Sequence, residues 1–309
     1  MRLIFLTSIL FLFNIVVFAQ GNNDIYDITY KIATNNDSVK LDLFQPTKKL
    51  YEKNPVVVFI HGGAWAKGDK HIEHLYYMRS LRDTLRSKGY AVATINYRLV
   101  TKTINIADQV TDCRDALQWI KNNATTYNLD TDNIGLCGES AGAHLALLLT
   151  YTNKNKTIED DAIKIKYVVD NFGPTDLNKV LKTKASFVTK ALYKLVLPEL
   201  YDVRKKLIHA ITTYPIDSNK EQAIAVAKEY SPIHNLLPNQ KTPLLILHGT
   251  RDFVVPIKQS KKLKKVFEAN NIETSFVKVK KGNHGFKNID STKIQELISK
   301  TTLFIQKNT

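Results

Sequence analysis

The pentapeptide GESAG at residues 138–142 is the feature that most restricts how this chain can fold. It follows the short apolar run 134–137 and precedes the helix-prone run 143–149. A serine held between a strand and a helix needs a very tight turn, and the two glycines of the pentapeptide leave room for it. The sequence therefore predicts a strained strand–turn–helix junction that exposes the Ser140 hydroxyl, as a nucleophilic serine requires.

The order of apolar segments predicts an α/β fold. From residue 55 onward, short apolar runs alternate with amphipathic helical patterns. Such alternation predicts right-handed crossovers and a doubly wound, mostly parallel sheet. The predicted strands of this part are 55–60, 90–96, 134–137, 165–169, 244–247 and 275–279. Two earlier segments, 26–32 and 39–43, alternate apolar and polar residues, as expected of a hairpin with one solvent-facing side.

One interval between two predicted strands lacks strand signals. Residues 177–231 contain only helix-like stretches. We expect them to form a helical cap insertion over the C-terminal edge of the sheet, where open α/β folds bind ligands. A peripheral insertion without function is the alternative. The predicted organisation is a signal peptide at residues 1–19 followed by one α/β domain, residues 20–309, that carries this insertion.

The N-terminal segment has the pattern of a signal peptide. A positive start at Arg2 precedes an almost wholly apolar run over residues 3–18, and Ala19 supplies the small residue of a cleavage site. The run has about sixteen residues, fewer than the ~20 of a membrane-spanning helix, and Asn14 interrupts it. We therefore expect export, a periplasmic or secreted mature protein, and no stable membrane anchor.

The formal net charge of +15 raises the question of an anionic partner. The lysines are spread along the whole chain, and the densest run, 258–265, has apolar residues at helical spacing. This pattern is typical of the solvated face of an amphipathic helix. Because no nucleic-acid-binding motif accompanies it, we expect no nucleic-acid partner. The sequence does not indicate an oligomeric state.

Cysteine and histidine usage argues against a disulfide framework and a metal centre. Cys113 and Cys137 are the two cysteines, and both have the pattern of buried small apolar residues. A bridge between them in an exported protein stays open as an alternative. The eight histidines show no metal-ligand spacing supported by a carboxylate. We expect no metal and no cofactor.

A glycine-rich loop is the predicted source of an oxyanion hole. The sequence HGGAW at residues 61–65 directly follows the predicted strand 55–60. Acyl transfer needs hydrogen-bond donors where negative charge develops, and consecutive glycines let backbone N–H groups approach that point. We assign this role to the amides of Gly62, Gly63 and Ala141, the last being the residue after the serine. A plain glycine turn is the alternative.

A nucleophilic serine also needs a base and an orienting acid. Asp252 follows the predicted strand 244–247, and His284 lies in a glycine-flanked loop after the predicted strand 275–279. Both positions are at the loop edge of the sheet where Ser140 is expected. The chain order Ser, Asp, His is that of α/β-hydrolases. We predict these three residues as the catalytic triad.

Other residues compete for these roles. Asp176 is a rival acid at the end of strand 165–169, although it also fits a helix cap. Among rival bases, His144 has a structural position in the helix after the serine, and His248 would be buried at a strand end. His61 is expected to brace its loop. The candidates for substrate contact are Trp65 and Phe286, although a core position fits the tryptophan equally well.

These motifs together resemble a known family, the α/β-hydrolase carboxylesterases related to hormone-sensitive lipase and to bacterial carbohydrate esterases. The matched pieces run in family order over about 230 residues: HGGAW at 61–65 with Gly68, Asn96–Leu99, Gln109, Asp112–Trp119, Gly138–Ala146, Phe172–Leu177, His248–Asp252 and His284–Phe286. Lipase-like members usually have a third glycine where this chain has Ala64. The HGGxW form is more similar to polysaccharide-acting esterases and arylformamidases.

The resemblance implies an α/β-hydrolase fold and a serine carboxylesterase that hydrolyses short-chain or aryl esters, and the signal-peptide pattern adds the expectation that this esterase is exported. Acetyl or feruloyl groups on polysaccharide are the candidate substrates, and the expected partner is a small-molecule or polysaccharide ester. Two alternatives stay open at this point. One is an arylformamidase-like amidase, and the other is a non-catalytic binding protein on a hydrolase scaffold.

Overall fold

The structure is a computed structural model that describes residues 24–33, 36–153, 163–184 and 198–309. The predicted signal peptide, residues 1–19, lies outside the described residues. In the described part of the chain, no helix is both long and apolar enough to cross a membrane.

The described strands form one eight-stranded sheet in the order β1-β2-β4-β3-β5-β6-β7-β8. The strands are β1 (Ile25–Ile32), β2 (Ser38–Phe44), β3 (Asn54–Ile60), β4 (Ala91–Ile95), β5 (Leu129–Glu139), β6 (Ile165–Asn171), β7 (Leu244–Gly249) and β8 (Thr274–Val279). β2 pairs antiparallel with β1 and with β4, and the other neighbouring strands pair in parallel. This topology confirms the predicted doubly wound, mostly parallel sheet.

The helices of the described residues lie on both faces of the sheet. They are α1 (Tyr76–Ser87), α2 (Ile106–Asn122), α3 (Ala124–Tyr127), α4 (Ala141–Tyr151), α5 (Leu177–Val180), α6 (Pro198–Thr212), α7 (Lys220–Glu229), α8 (Lys258–Ala269) and α9 (Ser291–Lys307). Short 3₁₀ turns occur at Pro232–His234 and His284–Phe286. α2, α4 and α8 cover one face, whereas α1 and α9 cover the other.

Burial on both faces explains the continuous apolar run of β3. Val56 and Val58 pack into the cluster under α2 and α4, while Val57 and Phe59 pack into the cluster under α1 and α9. Successive side chains of a strand point to opposite faces, so a strand covered by helices on both sides needs apolar residues at every position.

The division of the core into two clusters, one on each face of the sheet, decides whether Cys113 and Cys137 can form a disulfide bridge. Cys113 lies on α2 in one core cluster, and Cys137 lies on β5 in the other. Both are buried and free. The sheet therefore separates the two thiols, and the structure has no bridge between them.

The prediction that one side of the β1–β2 hairpin faces solvent is wrong for β2. Asp42 is 1% exposed, and Lys70 Nζ lies 2.7 Å from its Oδ1 atom. The neighbouring Phe44 is covered by the guanidinium group of Arg82, which lies 4.6 Å from the ring centroid. Charged side chains from a distant loop and from α1 cover this face, and an alternating pattern within one strand does not reveal them.

The interval between β6 and β7 is helical where the structure describes it. Ile208 and Ile211 of α6 and Ala223 and Ala227 of α7 pack into the core cluster that also contains α2 and α4. Residues 185–197 lie outside the described residues. A cap over the edge of the sheet stays a prediction.

Candidate active site

Ser140 lies in a sharp turn between β5 and α4. Its backbone has φ 51° and ψ −116°, a conformation that residues other than glycine rarely adopt. A Cβ atom on Gly138 would lie 2.5 Å from the backbone of Ala143, and one on Gly142 would lie 2.1 Å from the Ile60 carbonyl oxygen. Glycine is therefore required at both positions, and the predicted strand–turn–helix junction is present.

The structure brings Ser140, Asp252 and His284 together in one hydrogen-bonded line. His284 Nε2 lies 2.9 Å from Ser140 Oγ, and His284 Nδ1 lies 2.7 Å from Asp252 Oδ2. A carboxylate can only accept, so Nδ1 carries the proton and Nε2 is left to accept from the serine hydroxyl. This arrangement can remove a proton from Ser140 as its oxygen attacks an electrophile.

The Asp252 carboxylate is held ionised by several donors. Its Oδ1 accepts the backbone N–H groups of Val254, at 2.9 Å, and Val255, at 2.8 Å. Burial alone would raise the pKa of this carboxyl. Hydrogen bonds from His248, His284 and Val255 outweigh burial and keep its pKa well below the usual range. Asp252 therefore stays negatively charged and can orient the His284 ring.

His248 is a residue whose role the sequence reasoning missed. It is fully buried, and its Nε2 lies 3.3 Å from Asp252 Oδ2 and 2.8 Å from the Val255 carbonyl oxygen. Since that carbonyl can only accept, Nε2 carries a proton and Nδ1 accepts the Ser260 hydroxyl at 2.6 Å. The spacing His-x-x-x-Asp at the end of a strand was the signal available in the sequence.

In the described part of the chain, none of the three predicted oxyanion amides has a backbone acceptor. Ala141 is the first residue of α4, so its N–H has no acceptor within the helix. Gly63 lines the cavity beside Ser140 with φ 110°, and within the described residues its N–H has no backbone acceptor. Gly62 lines the same cavity, and its N–H has no backbone acceptor among the described residues either. The assignment of these three amides to an oxyanion hole stays a prediction.

His61 braces the glycine loop, as its motif predicts. Its Nδ1–H donates to the Gly62 carbonyl oxygen at 2.7 Å, and its ring stacks on Tyr97 with centroids 4.2 Å apart. The Tyr97 hydroxyl donates to the His61 carbonyl oxygen at 2.9 Å. Burial lowers the pKa of His61 to about 4. The ring is therefore neutral at ordinary pH and serves as a support.

A second layer of side chains fixes the end of this loop. Gln109 Nε2 donates to the carbonyl oxygens of Trp65, at 2.7 Å, and Arg98, at 2.8 Å. The Arg98 guanidinium forms a bidentate pair with Asp112, with both distances at 2.8 Å. Charge-assisted bidentate pairs fix geometry well. These contacts explain why the residues after β4 and on α2 belong to the matched motifs.

A cavity of about 630 Å³ opens beside Ser140 and His284. Its other lining residues come from the loops at the C-terminal edge of the sheet: His61, Gly62, Gly63, Ala64, Lys67, Gly68, Asp69, His74, Leu75, Glu139, Phe172, Val254, Gly285 and Lys287. A second cavity of about 320 Å³ adjoins it. The two cavities share six lining residues: His74, Leu75, Glu139, Phe172, Gly285 and Lys287.

The two predicted substrate contacts lie beneath the surface. Trp65 is 3% exposed, and its Nε1–H donates to His144 Nδ1 at 3.3 Å, so this residue belongs to the core and its assignment to substrate is corrected. Phe286 is buried against Phe172 and Tyr77, with ring centroids 5.0 and 5.7 Å away. It lines the smaller cavity rather than the one beside Ser140.

The rival acid and base have structural positions. Asp176 caps α5 by accepting the Lys179 N–H and lies 3.2 Å from Lys262 Nζ. His144 Nε2 donates to the Tyr230 carbonyl oxygen at 2.7 Å, and burial lowers the pKa of this histidine to about 4. Among the described residues, no cluster of His, Cys, Asp and Glu side chains could hold a metal ion.

Comparison with known proteins defines the family. The sequence profile of the BD-FAE family matches residues 41–267. The chain belongs to this family. Isoprenylcysteine alpha-carbonyl methylesterase ICME of Arabidopsis thaliana is 25% identical over 240 residues, which are 77% of this chain and 52% of the relative. Esterase LipC of Mycobacterium tuberculosis is 24% identical over 272 residues, 86% of this chain and 61% of the relative. The chain thus spans about half the length of the curated relatives that it matches.

Solved structures establish the fold. A truncated form of a carbohydrate esterase from gut microbiota superposes with a TM-score of 0.67 at 22% identity, covering 92% of this chain and 95% of the other. Propionate-bound esterase Est2 of Thermogutta terrifontis gives a TM-score of 0.68 at 21% identity, covering 92% and 94%. This likeness confirms the predicted α/β-hydrolase fold.

Proposed function

We propose that this protein is a serine carboxylesterase that uses Ser140, His284 and Asp252 as its catalytic triad. The observation that carries the proposal is the line of two hydrogen bonds, 2.9 and 2.7 Å long, that joins these three side chains at the wall of an open cavity. Membership of the BD-FAE family supports it, as do relatives that are named as esterases.

The first step of the proposed reaction is acylation. Ser140 Oγ forms a bond to the ester carbonyl carbon while its proton passes to His284 Nε2. Asp252 stabilises the resulting imidazolium, and the amides of Gly62, Gly63 and Ala141 donate to the oxyanion. When the tetrahedral intermediate collapses, the ester C–O bond breaks and the leaving alcohol takes the proton from His284. Each oxyanion donor contributes roughly 3–4 kcal/mol to such a step.

The second step is hydrolysis of the acyl-enzyme. Water enters the cavity and His284 Nε2 takes one of its protons as the oxygen attacks the acyl carbon. The bond between that carbon and Ser140 Oγ then breaks, and the proton returns to the serine. The carboxylic acid leaves and the enzyme regains its starting state. No group besides the three side chains, the three amides and water is needed in this scheme.

The proposed substrates are short-chain or aryl esters, with acetyl or feruloyl groups on polysaccharide as candidates. Support comes from the HGGxW form at residues 61–65 and from the likeness to a carbohydrate esterase. We also propose export of the chain, because residues 1–19 have a signal-peptide pattern. Expression with its own N-terminus tests export: mature protein that begins at Gln20 in the periplasm or medium supports it, and a full-length chain confined to the cytoplasm contradicts it.

Turnover of a substrate panel tests the proposed activity. p-Nitrophenyl acetate, a longer acyl ester, a feruloyl ester and an aryl formamide are compared for wild type, Ser140→Ala and a matched control, Ser218→Ala. Ser218 is exposed between α6 and α7. We expect ester turnover by wild type and the control and a loss of more than about 1,000-fold in Ser140→Ala. Undiminished turnover in Ser140→Ala, or preference for the formamide, would contradict the proposal.

A further inference from the structure

The smaller of the two adjoining cavities has no role in the mechanism proposed for ester hydrolysis. Its volume is about 320 Å³, at the lower end of the range of about 300–1,000 Å³ that sites for small ligands occupy. A cavity of this size beside a nucleophile can hold one part of a substrate. Six residues line it without lining the cavity beside Ser140: Tyr76, Tyr77, Met78, Phe286, Ile289 and Ile294.

The smaller cavity has an apolar floor, formed by Tyr77, Met78, Phe286 and Ile294. Each of these side chains is at most 6% exposed. The Tyr77 hydroxyl lies 3.0 Å from Thr301 Oγ1, so this polar group already has a partner within the protein. Among the described lining residues, charged side chains are confined to those that the two cavities share. The floor therefore favours an apolar group and would penalise a charged one.

The smaller cavity begins next to the proposed triad. Glu139, the residue before Ser140, lines both cavities. Phe172 also lines both, and its ring centroid lies 4.7 Å from that of His284 and 5.0 Å from that of Phe286. One aromatic ring thus lies between the proposed base and the floor of the smaller cavity. The cavity is therefore within reach of a group attached to Ser140.

We infer that the smaller cavity holds the acyl group of the substrate, that this group is apolar and larger than acetyl, and that the floor, Ile294 included, limits its length. The inference rests on the proposed esterase function. In an ester of a polysaccharide, only the acyl group has a free end. The sugar chain continues on both sides of the esterified oxygen, so it cannot enter a cavity with a buried floor, whereas an acyl group can.

The wild-type chain should therefore prefer longer acyl groups. In a series of p-nitrophenyl esters the alcohol stays constant, and each methylene group that enters an apolar cavity raises kcat/KM about fourfold. We expect kcat/KM for the hexanoate to exceed that for the acetate at least about tenfold, even if part of the chain stays in contact with water. Equal kcat/KM values, or a preference for the acetate, would overturn the inference.

Two substitutions of Ile294 test the floor. Ile294→Phe fills part of the cavity and should lower the hexanoate-to-acetate ratio of kcat/KM about 10-fold, whereas Ile294→Ala enlarges the cavity and should raise the octanoate-to-hexanoate ratio about fourfold. Where Ile294→Phe does not fold, Ile294→Ala decides.

The matched control is Ile298→Ala. Ile298 lies one turn further along α9 in the same core cluster and is 2% exposed, like Ile294, but it is not among the described residues that line the cavity. It should keep the wild-type ratios. Wild-type ratios in the Ile294 variants, or the same shift in Ile298→Ala, would overturn the inference.

A second series varies the alcohol and keeps the acyl group constant. Ethyl, butyl and hexyl acetate should be hydrolysed in the same proportions by wild type and by the Ile294 variants. Proportions that depend on residue 294 would show that the cavity holds the alcohol, and they would overturn the inference. Failure of the proposed function has a different signature, because wild type would then hydrolyse no ester or Ser140→Ala would keep full turnover, whatever the acyl group.

Discussion

His248 Nε2 lies 3.3 Å from Asp252 Oδ2, so the acid of the proposed triad contacts a second, fully buried imidazole besides that of His284. The same nitrogen lies 2.8 Å from the Val255 carbonyl oxygen, and the Val255 N–H donates to Asp252 Oδ1. Strand β7, the Asp252 carboxylate and the loop that follows are thereby joined in one closed set of hydrogen bonds. Buried networks of this kind rigidify a site when every member has a partner.

Replacing His248 with glutamine should leave the Asp252 carboxylate less rigidly held. Because a hydrogen bond to a charged group contributes about 1.5–3 kcal/mol, we expect the free energy of unfolding in urea to fall by about that amount. We also expect kcat to fall, since the His284 ring loses a fixed partner. The matched control is Ser260→Ala, which removes only the bond at the other ring nitrogen and should cost about 1 kcal/mol. Unchanged stability and kcat in His248→Gln would contradict this role.

Gly68 should be irreplaceable for catalysis. Its φ is +96°, and a Cβ atom there would lie 2.7 Å from the Gly62 carbonyl oxygen and 2.8 Å from His61 Nδ1. Gly68→Ala must therefore push on the loop that carries the proposed oxyanion donor, and we expect kcat to fall about 10- to 100-fold.

The control for that variant is Gly89→Ala. Gly89 has φ +86° and equally little room, since a Cβ atom would lie 2.9 Å from Leu50 Cβ, but it follows α1 and lies outside the cavity lining. It should lose stability in thermal unfolding while kcat stays near wild type. Equal kcat losses in the two variants would show that general strain, not the position of the loop, explains the effect.

The buried His144 should make stability depend on pH. Its folded pKa is lowered by burial to about 4 from an ordinary 6.5, so between these values the unfolded chain binds the proton and the folded chain does not. This contribution to stability is present above about pH 6.5 and is lost as the pH falls toward about 4. Complete loss of this contribution lowers the free energy of unfolding by about 3 kcal/mol.

Comparison with His144→Gln isolates that contribution. The stability gap between wild type and the variant should shrink by about 3 kcal/mol when urea unfolding is measured at about pH 4 instead of about pH 7.5. Other buried groups cancel in the difference. One of them is Asp170, whose pKa burial raises to about 6. A gap that is constant with pH would contradict a neutral, buried His144.

The two cysteines should behave as buried free thiols. Burial raises the pKa of Cys137 to about 12 and that of Cys113 well above its usual value. A thiol-specific reagent should not react with the native protein and should detect both thiols once the chain unfolds without reductant. Unfolded protein without reactive thiols would mean that the two residues are bridged.

The sequence predicted that Ser140, Asp252 and His284 lie together, as the structure shows, because a catalytic triad would demand fixed residue types in a fixed order at strand ends. Those demands are local and chemical, and a single sequence displays them. The buried strand β3 was equally predictable from the sequence, because a strand covered on both faces must be apolar at every position. Gly138 and Gly142 were also predictable, because the tight turn around Ser140 leaves no room for a side chain.

Other features depended on contacts between distant parts of the chain. Trp65 could be a wall of the cavity or a core residue until its partner His144 was located. The alternating pattern of β2 indicated that its Asp42 side faces solvent. Lys70 covers that side from a separate loop, and the pattern within one strand cannot show this.

The most direct test of the account is to label the full-length wild-type chain with a fluorophosphonate and map the label by peptide mass spectrometry. The account predicts a single phosphonyl group, attached to Ser140, with esterase activity lost in proportion to labelling. Ser140→Ala should take up no label. A label on another residue, or full esterase activity in protein that is fully labelled at Ser140, would contradict the assignment of Ser140 as the nucleophile.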